Sequence, residues 1–134
     1  MREILFRGKR TDNGEWCYGH LYKNYFGDWV IVNEKSRLIV NDKTIGQYTG
    51  LTDKNGKKIF EGDIIAYRKG CLAVSFDFAS FGFLFEGYNG EEGYSHVIPF
   101  NDYENGIYID RKTYQIDYEI VGNVFDNSDL LKGE

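Results

Sequence analysis

The chain has 134 residues, 42% hydrophobic and 17% aromatic, and a formal net charge of −5 at pH 7. That length admits one compact domain spanning 1–134, or two small β-subdomains of about 1–60 and 61–134. The apolar content excludes a disordered chain, and the negative charge opposes nonspecific attachment to a phosphate backbone.

Ten Phe, eleven Tyr and two Trp are punctuated by sixteen Gly and a single Pro. Rings suit pleated, half-buried surfaces and glycines supply frequent turns, so the composition predicts a mainly β fold with little helix. No window approaches the roughly 20 apolar residues of a membrane span. Met1–Arg10 lacks the small-residue cleavage pattern of a signal peptide, so a cytoplasmic protein with no membrane association is expected. Cys17 and Cys71 are then expected as reduced thiols.

Ile4 to Gly8 reads as a first strand, and Asp12-Asn13-Gly14 as a turn. From Trp16 to Tyr22, Trp16, Tyr18, His20 and Tyr22 alternate with Cys17, Gly19 and Leu21, the period of a strand. Gly27-Asp28 turns the chain into Trp29 to Val32, and Leu38 to Val40 is a further short run.

The stretch Thr44 to Tyr67 organises the rest. Asn55-Gly56 is a strong hairpin signal, because both residues tolerate the positive φ of tight turns. Leu51 precedes it, and Ile59 and Phe60 follow. Glu61-Gly62-Asp63 breaks the chain again before the β-rich run Ile64 to Tyr67. Arg68-Lys69-Gly70 reads as a turn, Leu72 to Phe78 as an alternating strand, and Phe81, Phe83 and Phe85 as one face of the next. Tyr88 to Gly93 reads as a solvated acidic loop, and Tyr94 to Ile98 as a strand closed by Pro99, at its end or on an edge. Asn101 to Asn105 reads as at most one helical turn. Ile107 to Ile109 and Ile116 to Phe125 supply the last strands. Asn127 or Ser128 caps a final helical turn, with Leu130 and Leu131 docking.

The segment GQYTGLTDKNGKKIFEGDI resembles the signature of the YopX family, small proteins found mainly in phages and prophages. Its signature positions here are Gly46, Gln47, Tyr48, Thr49, Gly50, Leu51, Asp53, Asn55, Gly56, Glu61, Gly62 and Asp63. The charged start and the ending YEIVGNVFDNSDLL, Tyr118 to Leu131, resemble the same family. The resemblance implies a family and a phage or prophage context, but no activity.

Four places in the chain could carry chemistry. Asp53-Lys54-Asn55-Gly56 begins like a calcium loop, but the sixth and twelfth positions hold Lys58 and Ile64 instead of Gly and Glu. Glu61 and Asp63 are read as a solvated acid and a turn cap, not an acid–base pair. His20 and His96 have no partner at metal-binding spacing, and strand alternation sends Cys17 and His20 to opposite faces. No nucleophile elbow or phosphate-cradling loop is present. No catalytic, cofactor or metal residues are therefore assigned, and a non-enzymatic protein is expected.

Phe81, Phe83 and Phe85 resemble the base-stacking strand of RNA-recognition and cold-shock proteins. Asp77, Glu86, Glu91 and Glu92 surround them, so packed core is the better account. The cluster Arg2, Arg7, Lys9 and Arg10 reads either as a small anionic contact or, equally well, as a solvated strand and turn. The expected fold is short, bent antiparallel strands in one or two small barrel-like, SH3-like units. The expected function is a protein-binding or assembly module that forms a homo-oligomer and takes an unidentified host or phage protein. Single-stranded nucleic-acid binding through Phe81, Phe83 and Phe85 is the alternative.

Overall fold

The computed structural model describes residues 3–67, 70–77, 82–88, 96–99, 109–110 and 112–131; for 76–77, 82–88, 96–99 and 109 it describes backbone alone. The chain is mainly β. It divides into two units, Met1–Tyr48 and Thr49–Glu134.

In the first unit, β1 (Phe6–Lys9), β2 (Trp16–Lys23), β3 (Trp29–Val32) and β4 (Arg37–Ile39) form an antiparallel meander. The start of β5 (Gly46–Thr52) pairs with the other edge of β1, setting Gln47 opposite Phe6. Alternation assigns the faces. Cys17, Ile31 and Val40 are buried on one side, with Phe6, Leu21, Trp29, Leu38 and Ile45 packed against them. Ile4 lies before β1 and is 64% exposed, so the first strand starts later than the hydrophobic pattern suggests.

In the second unit, the end of β5 pairs with β6 (Lys58–Phe60) across the Asn55-Gly56 turn. It also pairs in parallel with β12 (Gln115–Ile116), which is antiparallel to β11 (Ile109–Asp110). A five-stranded antiparallel sheet runs β10–β9–β8–β7–β13. Its strands are β7 (Asp63–Tyr67), β8 (Gly70–Asp77), β9 (Gly82–Tyr88), β10 (His96–Pro99) and β13 (Ile120–Asn123). Pro99 ends β10, which lies at one end of that sheet among the described residues, a position where proline is tolerated. Leu51, Ile59, Ile65, Tyr67, Leu72, Val74 and Ile116 form the core, with Tyr118 and Ile120 against it. Each fully buried side chain contributes about 1.5–3 kcal/mol.

Three expectations need correction. The strands form open sheets rather than a closed barrel among the described residues. The far edge of β4 touches the end of β1 only through an isolated Arg10–Val40 bridge and the bonds from the Thr11 amide to the Ile39 carbonyl and from the Asn41 amide to the Lys9 carbonyl. The run Ile116 to Phe125 is not one strand. It breaks between β12 and β13, where the Lys54 amide donates to the Tyr118 carbonyl and the Ala66 amide to that of Glu119. Finally, the turn Ser128–Leu131 buries none of its residues, and Leu130 is 37% exposed rather than docked. Phe78, Phe81, Tyr94 and the runs Arg68-Lys69, Asn89 to Gly93, Asn101 to Asn105 and Ile107-Tyr108 fall outside the described residues.

Candidate functional site

The family-like signature is a structural hub. Asp53 has no exposed surface. Its Oδ1 accepts the amides of Asn55 and Lys57, both at 2.9 Å, which fixes the turn. Its Oδ2 accepts the Ile120 amide at 3.1 Å, and its carbonyl accepts Gln115 Nε2 at 2.9 Å. One side chain thus closes the β5–β6 hairpin and seats the start of β13. Asp63, 3% exposed, accepts the Phe60 amide at 2.8 Å, the expected turn cap. Gly62 between the acids has φ 96°, and its amide and carbonyl bond Val74 and Val124, each at 2.8 Å. The carboxylates of Asp53 and Asp63 are therefore engaged by backbone amides.

Solvent-facing chemistry gathers in the first unit. On β2 the rings expected to share a face do so. Tyr18 and Tyr22 are 43% and 38% exposed, His20 is exposed and Trp16 half-buried. Cys17 faces the core instead, donating its thiol to the Gly8 carbonyl at 3.5 Å, and burial pushes that thiol's pKa up. Cys17 and His20 thus point apart.

Register places cations alongside the rings. Lys9 lies opposite Trp16 and Arg7 opposite Tyr18 on β1, while His20, Val32 and Arg37 form one row across β2, β3 and β4. The Arg7 guanidinium lies 4.3 Å from the Trp16 ring centre and the Lys9 ammonium 5.4 Å. Arg7 is only 5% exposed, so it supports the ring rather than standing in solvent, against the sequence reading. Arg10 is held by Asp12 through bonds of 2.9 and 2.7 Å, and that pairing keeps the Asp12 carboxyl below its ordinary range.

A groove of about 670 Å3 opens beside the ring column, lined by Leu5, Tyr18, His20, Val32, Glu34 and Lys35 among others. Its rim is rigid. Asn33 Oδ1 accepts the Lys35 and Ser36 amides at 2.9 and 3.1 Å, and Asn33 Nδ2 donates to the Tyr18 carbonyl at 3.1 Å.

The β2–β3 turn carries a second feature that the sequence reading passed over. Tyr25 is 97% and Phe26 84% exposed, with ring centres 5.5 Å apart in an edge-to-face pair. Asn24 Oδ1 accepts the amides of Phe26 and Asp28 at 3.0 and 2.9 Å, so the loop holding them is ordered locally. The residue pair was visible in the sequence, between an Asx-turn former and Gly27.

Phe83 and Phe85 lie on β9, opposite Phe76 and Val74 on β8, and their side chains lie outside the described residues. Phe81 lies outside them entirely.

These features define a mainly β protein of two open-sheeted units, built around an amide-bound carboxylate turn and presenting rings to solvent. The family model described as YopX protein matches residues 5–132, nearly the whole chain. The chain belongs to the YopX family. No curated protein matches it.

Proposed function

We propose that this chain is a non-enzymatic assembly module that joins copies of itself, and then an unidentified host or phage protein, through the Tyr25–Phe26 turn. The family resemblance implies a phage or prophage context, and our reading places the module in the bacterial cytoplasm as an accessory protein. The carrying observation is the nearly bare aromatic pair on a locally ordered turn. Rings held ready in solvent are the anchors that protein interfaces favour, and a pre-ordered loop loses little entropy on docking.

Charge favours a second copy as the occupant. The first unit carries eight Lys/Arg and six Asp/Glu, the second eight and fifteen. A chain with one slightly basic and one strongly acidic unit is complementary to itself in a head-to-tail contact. Engagement of the Asp53 and Asp63 carboxylates by amides supports a structural rather than catalytic use of the signature.

Multi-angle light scattering between 5 and 200 µM tests this reading. Mass should rise with concentration, fall back in 0.5 M salt, and stay at the monomer value for Phe26→Ser. A wild-type monomer throughout the range overturns it.

A further inference from the structure

We infer that the outward face of β2 is a binding track for single-stranded nucleic acid, separate from the Tyr25–Phe26 turn. Four successive outward positions, Trp16, Tyr18, His20 and Tyr22, all carry rings. Alternate strand residues are about 7 Å apart, which spaces the rings for successive unstacked bases rather than for one ligand. Ring stacking of that kind tolerates any base, because every base has a π-face.

Charge is arranged to match. Lys9 lies beside the column on the β1 side, Arg37 ends the His20–Val32 row on β4, and Lys35 lines the groove. Arg7 is used differently: tucked 4.3 Å from the Trp16 ring centre, it fixes that ring's pose. Cations thus flank both sides of an aromatic column, the arrangement that tracks a backbone while bases stack between. The groove beside Tyr18 and His20 has room for a splayed base, with Val32 and Leu5 as apolar walls. Glu34 in the same wall is an acceptor for an exocyclic amine. A duplex does not fit this description, since its bases are already stacked and paired.

Fluorescence anisotropy tests it, using the full chain at 20 mM salt with labelled 15-nucleotide oligo(dT), oligo(U) and a duplex of equal length. Micromolar binding of the single strands, at least tenfold tighter than the duplex, is expected. Affinity should fall with salt at a logarithmic slope of roughly −1 to −2, for two or three neutralised phosphates. Tyr18→Ala and Tyr22→Ala should each weaken binding roughly 5- to 100-fold. Phe26→Ser should leave it unchanged. Because Trp29 packs on the core side, Trp29→Phe leaves Trp16 as the only indole, and its emission should be quenched by oligo(dT). Absence of binding at 100 µM, equal binding of duplex, or indifference to both tyrosine changes overturns the inference. So does loss of self-association, rather than of strand binding, in the tyrosine variants, which would make the face a protein contact.

Discussion

The Asp53 carboxylate receives the amide of Ile120, 67 residues further along the chain, at 3.1 Å. A carboxylate has lone pairs to spare for three amides and carries no hydrogen to misdirect. Replacement by Asn turns one acceptor into an NH2 group. Whichever way that amide points, a donor faces the Ile120 amide or the amides of Asn55 and Lys57. Asp53→Asn should therefore destabilise the fold by about 2–3 kcal/mol, the cost of leaving buried donors unsatisfied, read as a lowered urea midpoint.

Gly62 is the second sensitive point. Its φ of 96° is a conformation that a side chain resists, and bonds to Val74 and Val124 prevent relaxation. Gly62→Ala should cost about 1–3 kcal/mol in chemical denaturation, with no change in the slope against denaturant.

Burial raises the Cys17 thiol above its ordinary pKa. The unfolded chain then ionises first. Stability from this group is complete below about pH 8.5, the unfolded thiol value, and is lost as pH climbs through the folded one. Between pH 7.5 and 9.5 the urea midpoint of wild type should fall further than that of Cys17→Ala. In native protein at pH 8, Cys17 should also react with a thiol reagent far more slowly than after unfolding.

Strand alternation was legible wherever one face is apolar: the sequence alone places Trp16, Tyr18, His20 and Tyr22 together and Cys17 opposite. The hairpin at Asn55-Gly56 and the Asp63 cap were legible too, because turn chemistry is local. Asp53 was not. Its sequence neighbourhood explains the bonds to Asn55 and Lys57, while those to Ile120 and Gln115 depend on strands paired far along the chain. The same non-local contacts break the Ile116–Phe125 run, which pattern alone reads as continuous. Tyr25 and Phe26 escaped notice for the opposite reason: apolar residues are expected to be covered, and hydrophobicity carries no sign of the two that are not.

Hydrogen exchange at the turn tests the assembly claim most directly, because it reads the proposed contact residue by residue. Amide exchange over residues 24–28 should slow at 200 µM relative to 5 µM in wild type, with no such change in Phe26→Ser. Exchange rates at those five amides that do not depend on concentration, in a wild-type sample that light scattering shows to be associated, would contradict the assignment of the interface to Tyr25 and Phe26.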